Sequence, residues 1–300
     1  MSPPAPPSRS RRRVFVCSLG LTAPSLLGCF GTPTPLAPGL AGSVGWPHHG
    51  VQTGAIELPE SGPGFVRYRK TGGYYWAQPG LVRAIEEAAL EVDQSLPGGA
   101  PLSVGDLSAR EGGKISRHYS HRNGRDVDLL WYVTTPEGVS LDNPQFVHLG
   151  SDGLGRASKR RSNGALGAEY VRLDVARQWR LIKNLLSSTQ IEVQWLFASS
   201  AVEALVIQHA LAIDDDPELI WRAQNVMLEP ADSLPHDDHL HLRVACSPEA
   251  GVMGCEGGGV YWKWLPSSPL LAASEGLADN DALADSDALA DVDVLGLEPL

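Results

Sequence analysis

Two short segments hold five of the chain's nine histidines, and each leads into a stretch that alternates polar and apolar residues as β-strands do, at residues 126–130 and 239–244. The segments are HYSHRNGRDVD (residues 118–128) and HDDHLH (residues 236–241). Residues two apart on a strand face the same side, so Asp126 shares a face with Asp128, as His239 does with His241. The pattern predicts strands whose apolar side enters the core and whose polar side collects carboxylates and imidazoles.

This residue mixture predicts a metal site. Neutral imidazole and carboxylate are ligands that zinc accepts, and three protein ligands with an open fourth position form the catalytic arrangement. A single histidine on such a strand is more often a hydrogen-bonded core or surface residue, but five in two clusters favour a metal. From composition and spacing alone, hydrolysis, a structural metal and a ligand-binding module all remain open.

The segments between the chain ends predict a mixed fold. Apolar residues recur at helical spacing in four stretches, and two further stretches alternate as strands do. The predicted helices are residues 79–94, 174–187, 201–213 and 217–227, and the predicted strands are residues 191–198 and 239–244. Because helices and strands mix without regular βαβ alternation, we expect an α+β fold with a central antiparallel sheet that carries the zinc site and is flanked by helices.

The first 28 residues have the layout of an export signal, with four arginines before a short apolar region. That apolar region, residues 14–28, is shorter than the ~20 residues that a membrane helix needs. Leu26-Leu27-Gly28-Cys29 resembles a bacterial lipobox, which predicts cleavage before Cys29 and a lipid on its thiol. An ordinary secretory signal and a twin-arginine signal remain open as alternatives.

The remaining boundaries follow from composition. Residues 29–50 carry four prolines among small residues and predict an extended tether, followed by a domain of the size of a catalytic domain at 51–268. Residues 269–300 predict a solvated acidic tail. Residues 271–300 hold eight acidic and no basic residues, and taking these charges from the net −11 leaves −3. No dense basic face exists to bind nucleic acid, so we exclude DNA and RNA as partners.

The number and positions of the cysteines are consistent with an exported protein. Cys17 leaves with the signal and Cys29 would carry the lipid, so Cys246 and Cys255 remain, nine positions apart. An exported chain would oxidise them to a disulfide. Two free thiols or a zinc pair are the alternatives.

Four stretches of the chain resemble the penicillin-insensitive murein endopeptidases, which belong to the group of lysostaphin-type enzymes, D-Ala-D-Ala peptidases and hedgehog domains. The stretches are VGDLSAREGGKISRHYSHRNGRDVDLLW (104–131), DVARQWRLIKNLL (174–186), IEVQWLFAS (191–199) and DSLPHDDHLHLRVAC (232–246). The resemblance covers roughly residues 51–255. Its marks are a His-x6-Asp pair and a later His-x-His.

The resemblance implies a ligand set and a disulfide. It implies that His121, Asp128 and His241 bind Zn²⁺, with His239 as the non-ligand histidine of the His-x-His pair. His118 and His236 are then supporting residues of the active site. It also implies a disulfide between Cys246 and Cys255. Separately, we expect Asp126 to orient a ligand from behind, with a solvent-facing strand residue as the alternative.

The activity that the resemblance implies is hydrolysis of D-alanyl-diaminopimelate cross-links in peptidoglycan. No acyl-enzyme forms in such a reaction, so β-lactams, which trap a serine nucleophile, should not inhibit it. The expected location is the periplasm, with the membrane reached only through the lipid on Cys29. A zinc D,D- or L,D-carboxypeptidase and a non-catalytic, zinc-stabilised wall-binding lipoprotein are the alternatives.

Overall fold

A computed structural model describes residues 33–160, 166–231, 235–257, 262 and 264. The predicted export signal with Cys29 and the predicted acidic tail lie outside these residues. Among the described residues, no helix has the length and apolar character needed to cross a membrane.

The described residues form fourteen strands and five helices. The strands are β1 (Gly42–Trp46), β2 (His49–Thr53), β3 (Ile56–Glu57), β4 (Ser61–Gly62), β5 (Phe65–Arg67), β6 (Trp76–Ala77), β7 (Leu102–Val104), β8 (Asp126–Leu130), β9 (Val133–Thr134), β10 (Leu154–Arg160), β11 (Leu166–Leu173), β12 (Val193–Phe197), β13 (Met227–Leu228) and β14 (His239–Val244). The helices are α1 (Pro79–Ser95), α2 (Val175–Leu186), α3 (Ser200–Ala212), α4 (Pro217–Val226) and α5 (Pro248–Val252).

The central sheet has seven strands in the order β13-β12-β14-β8-β7-β5-β4. Four of its pairings are antiparallel, but β5 with β7 and β12 with β13 are parallel. The expectation of an antiparallel sheet was therefore wrong in part, and the sheet is mixed. Parallel neighbours need a crossover connection, which α1 supplies between β5 and β7, and α3 with α4 between β12 and β13.

The two middle strands, β8 and β14, separate the core from a polar face. Val127 and Leu129 of β8 and Leu240 and Leu242 of β14 are fully buried in the hydrophobic core. The alternate residues of both strands carry the aspartates and histidines singled out in the sequence. Because side chains alternate between the two faces of a strand, one face of β8 and β14 is apolar and the other carries the ionisable residues.

The helices cover the core as predicted. α1 packs on α2, and α2 also contacts α3 and α4. The buried residues of α2 include Leu181, Ile182 and Leu185, which lie on one face at helical spacing. Asp174 caps α2 by accepting a hydrogen bond from the backbone N–H of Arg177 at 3.2 Å. The four predicted helices are confirmed, with ends that differ by at most one residue.

Two hairpins outside the central sheet were not predicted. β10 pairs with β11, and β1 pairs with β2, so residues 42–50 of the expected tether lie in or between the strands β1 and β2. The backbone of Gly45 exchanges hydrogen bonds with Gly254 and Glu256, at 2.7 and 3.1 Å. These partners lie about two hundred residues away along the chain, so the local sequence pattern does not predict the pairing.

A disulfide joins Cys246 and Cys255, as expected. It closes a loop that contains α5 and brings residues 254–256 to the edge of β1. The side chain of Arg125 donates to the carbonyl oxygens of Val244 and Glu256, at 3.0 and 2.6 Å, on either side of this loop. The crosslink therefore ties the end of β14 to the N-terminal hairpin.

Replacing both cysteines, Cys246→Ser with Cys255→Ser, is expected to lower the free energy of unfolding by about 2–3 kcal/mol, because the crosslink restricts the unfolded chain. Urea unfolding under oxidising conditions measures the loss. A reductant should bring the unchanged protein to the same midpoint and leave the double variant where it is. Coincident unfolding curves for the two proteins would contradict the prediction.

Candidate metal centre

The register between β8 and β14 brings the two histidine clusters together. His241 lies directly opposite Asp128, and Arg243 lies opposite Asp126. Side chains directly opposite one another on antiparallel strands have Cβ atoms about 5 Å apart. The alternation seen in the sequence and this register therefore assemble one site from segments more than a hundred residues apart.

The carboxylate of Asp128 is the centre of the cluster. Its Oδ1 lies 3.2 Å from Nε2 of His121, 3.2 Å from Nε2 of His239 and 3.5 Å from Nδ1 of His241. Its Oδ2 lies 3.7 Å from Nδ1 of His118. The side chain of Asp128 is 1% exposed. Four imidazole nitrogens therefore surround one buried carboxylate.

The tautomer of His121 turns a lone pair toward Asp128. Its Nδ1 lies 2.9 Å from the carbonyl oxygen of Leu107, which can only accept, so Nδ1 carries the proton. Nε2 of His121 and Oδ1 of Asp128 are both buried and lack a hydrogen-bond partner in the described part of the chain. Two inward-facing acceptors at 3.2 Å call for a cation between or beside them.

His241 presents its other nitrogen to the site. Its Nε2 donates to Oδ1 of Asp126 at 2.9 Å, which leaves Nδ1 directed at Asp128. Burial lowers the pKa of His241 to about 3, so the ring is neutral at physiological pH. A neutral imidazole with an inward lone pair is the form that binds a metal.

The remaining charges show how strongly the site attracts cations. Burial disfavours the charged forms of His121 and His239, but the Asp128 carboxylate outweighs burial and raises both pKa values, that of His239 to about 10. Burial also opposes the ionised form of Asp128, yet the imidazoles beside it hold its pKa well below the usual range. A proton or a metal ion is thus required near this carboxylate.

Asp126 connects the two histidine clusters, because it bonds to His241 of one cluster and to His121 of the other. It is fully buried and accepts from Nε2 of His241, from Nε of Arg243 at 2.7 Å and from the backbone N–H of His121 at 3.3 Å. Burial opposes its charge, but the Arg243 guanidinium beside it lowers its pKa far below the ordinary value. The solvent-facing alternative for Asp126 is therefore wrong.

His121 itself has a left-handed backbone, with φ of 62°. That conformation is uncommon for residues other than glycine and costs about 1–3 kcal/mol unless the surroundings enforce it. The bond from its N–H to Asp126 and the bond from its ring to Leu107 fix the residue in this conformation. The strain is thus offset by contacts that aim the imidazole at Asp128.

Three further histidines, His236, His239 and His118, line the centre. Nδ1 of His239 donates to Oδ1 of Asp238 at 2.6 Å, and the ring of His236 lies 5.1 Å from that of His239. Burial lowers the pKa of His236. The ring of His118 lies 4.4 Å from that of His121. The structure therefore brings all six predicted metal and catalytic residues into one place.

A sequence model of a protein family, described as penicillin-insensitive murein endopeptidase, matches residues 43–258. The chain belongs to this family. A penicillin-insensitive murein endopeptidase of Klebsiella pneumoniae is 28% identical over 222 residues, which are 73% of this chain and 70% of that protein.

Family membership makes the chain a peptidase, and its buried His and Asp donors could hold a metal ion. Two groups of three side chains each place one ligand atom within 4.8 Å of the others: His118, His121 and Asp128, and His236, His239 and His241. Imidazole and carboxylate donors suit zinc. The orphaned lone pairs of His121 and Asp128 provide independent support for a cation at this position.

Two aspartates at the site of this murein endopeptidase family member were not predicted from the sequence. Oδ2 of Asp106 lies 3.2 Å from Nε2 of His118, and Asp238 supports His239 as described above. Asp106 follows β7 in a loop with no strand or helix period, so only its place in the stretch VGDLSAR marks it. Asp238 stands within the His-rich segment, and its proximity to His239 was the available signal.

Proposed function

We propose that this chain is a zinc-dependent murein endopeptidase that hydrolyses D-alanyl-diaminopimelate cross-links of peptidoglycan. The observation that carries the proposal is the buried Oδ1 of Asp128, which faces three imidazole nitrogens at 3.2–3.5 Å and lacks a hydrogen-bond partner among the described residues. Membership of the murein endopeptidase family supplies the reaction class.

His121 through Nε2, Asp128 through Oδ1 and His241 through Nδ1 would hold the zinc ion. The carbonyl of Leu107 and the carboxylate of Asp126 fix the opposite nitrogens of the two imidazoles, as is usual for histidine ligands. A zinc ion held there would act as a Lewis acid that increases the acidity of a water molecule and polarises the scissile carbonyl.

The other histidines would handle protons. Hydrolysis adds a hydroxyl to the D-alanyl carbonyl carbon, breaks the C–N bond and must deliver a proton to the leaving amine. His239, with Nε2 at the centre and Nδ1 held by Asp238, is placed to hold that proton between the two events. His236 and His118 stand beside it as supporting groups.

The decisive experiment is mass spectrometry of cross-linked muropeptide dimers incubated with the full chain. We expect conversion of dimers to two monomers, loss of that conversion with a zinc chelator and recovery when zinc is returned. Loss of a terminal D-Ala alone would replace the proposal with a carboxypeptidase. A folded, zinc-loaded protein that leaves every dimer intact would overturn it.

A second expected result concerns inhibition. Because the proposed reaction has no serine nucleophile and forms no acyl-enzyme, benzylpenicillin at millimolar concentration should leave the initial rate of dimer cleavage unchanged. A serine D,D-peptidase assayed in parallel provides the positive control and should lose its activity. Time-dependent, irreversible loss of dimer cleavage would show that a covalent nucleophile takes part.

We also propose that residues 1–28 are an export signal and that Cys29 receives the lipid, so that the enzyme works at the cell wall. Labelling with palmitate in a bacterial host tests this proposal. Label should attach to the unchanged chain and be lost from Cys29→Ala, whereas Cys17→Ala should keep it. Equal labelling of the chain with Cys29→Ala would refute the lipid site.

A further inference from the structure

His118 lies between two carboxylates. Its Nε2 is 3.2 Å from Oδ2 of Asp106, and its Nδ1 is 3.7 Å from Oδ2 of Asp128. The side chains of His118 and Asp106 are 20% and 11% exposed. Because a neutral imidazole carries one proton, the nitrogen that donates to Asp106 decides which nitrogen is left for the centre.

The loop around Asp106 is fastened to the strand that carries Asp128. The backbone N–H of Asp128 donates to the carbonyl of Asp106 at 3.1 Å, and the N–H of Gly105 donates to the carbonyl of Asp128 at 2.7 Å. The second carboxylate oxygen of Asp106 accepts from the N–H of Tyr74 at 3.2 Å. The carboxylate is therefore held in place independently of His118.

A guanidinium also lies beside this carboxylate. Nη1 of Arg69 lies 3.7 Å from the same Oδ2 of Asp106 that meets His118. The carboxylate thus has a cation on one side and an imidazole N–H on the other. An ionised carboxylate that accepts from a ring nitrogen fixes both the tautomer and the orientation of the imidazole.

We infer that Asp106 is a positioning residue that acts through His118, holding its Nε2–H so that Nδ1 faces the metal-binding carboxylate. The inference rests on the proposed function, in which His118 supports catalysis. The pair of Asp238 and His239 approaches Oδ1 of Asp128, and the pair of Asp106 and His118 approaches Oδ2. The centre is therefore flanked by two imidazoles, each supported by its own aspartate.

A double-mutant cycle on the full chain tests the inference. Asp106→Asn keeps the shape of the side chain and is expected to lower kcat for dimer cleavage by about 10- to 100-fold, with KM within about twofold. In the His118→Ala background the same substitution should change kcat by less than about twofold. The matched control Asp142→Asn, at an exposed position, should match the unchanged protein.

Further readouts separate positioning from a general structural role. Zinc content and thermal midpoint should match those of the unchanged protein, and nitrogen-15 spectra of the histidine rings should show the tautomer of His118 altered by Asp106→Asn. The ring signal that disappears in His118→Ala identifies the residue. Asp106→Glu, which restores a carboxylate one methylene further out, should recover part of the rate. If Asp106→Asn does not fold, the effect of Asp106→Glu on kcat is compared with and without His118 instead.

Equal loss of kcat from Asp106→Asn with and without His118 would overturn the inference, as would an unchanged rate or an unchanged ring signal. These outcomes leave the proposed function standing, since they concern only one supporting contact. Failure of the unchanged protein to cleave dimers would instead refute the proposed function, and the ring spectra would still show whether Asp106 fixes His118.

Discussion

Asp128→Asn is expected to abolish zinc binding at the proposed site and to lower the rate of cross-link hydrolysis by a factor on the order of 10⁴ or more, comparable to losses from single residues in cooperative catalytic sites. The carboxylate oxygen at the meeting point of the imidazoles is the only anionic donor in the proposed ligand set of His121, Asp128 and His241. A neutral amide cannot balance the charge of a divalent cation in a buried place.

Metal analysis and muropeptide cleavage, measured on the same preparation, check this prediction. Asp142→Asn makes the same chemical change at an exposed position and should keep both zinc and rate. The unfolding midpoint must also be recorded, because loss of a bound metal lowers apparent stability by mass action. Full zinc content together with retained cleavage in Asp128→Asn would refute the assignment of the ligand.

Asp126→Ala is expected to lower the free energy of unfolding by about 3–5 kcal/mol, the usual effect of removing one member of a buried ion pair. The substitution leaves the guanidinium of Arg243 beside an empty space and takes away the acceptor of the His241 ring. It also frees the backbone N–H of His121, whose left-handed conformation then loses a fixed contact.

Urea unfolding with a chelator present throughout isolates this effect, because the metal then contributes to neither protein. Asp126→Asn provides the matched comparison and should destabilise less, since its amide oxygen still accepts from Arg243. Glu137→Ala, at a fully exposed position, should change the midpoint little. A loss below about 1 kcal/mol for Asp126→Ala would contradict the central role given to this carboxylate.

The sequence predicted which residues are candidates for the centre better than it predicted the architecture around them. The strands of residues 126–130 and 239–244 were readable because each alternates apolar and ionisable residues, which fixes both the strand and its two faces. Pairing between them was not encoded locally. Only the register of His241 against Asp128 shows why the clusters converge.

The parallel pairs and the two hairpins escaped prediction for physical reasons. Whether a neighbouring strand runs parallel depends on the path of a crossover helix, and the periodicity of β5 or β13, only three and two residues long, is too short to read. The β1 strand, GSVGW, pairs with β2 and also bonds through Gly45 to Gly254 and Glu256 of the disulfide loop. Propensity in glycine-rich segments carries little information about such distant partners.

Asp106 shows the same limit on a smaller scale. Its importance comes from backbone bonds to Asp128 and from a ring nitrogen twelve residues ahead, in a loop without periodicity. A carboxylate in such a loop is indistinguishable from a solvated turn residue until the chain path is known. Tautomer choice, which decides the chemistry of His118, His121 and His241, is likewise a property of the folded neighbourhood.

The pairing of β8 with β14 also determines at which stage of folding the proposed metal centre forms. More than a hundred residues separate these strands, and closure of so long a loop is among the slow steps of folding for domains rich in distant contacts. Before β14 docks, the chain has neither the facing imidazoles nor the closed sheet, so a partly folded precursor holds no peptidase centre. Assembly of the proposed metal centre is therefore tied to completion of the central sheet.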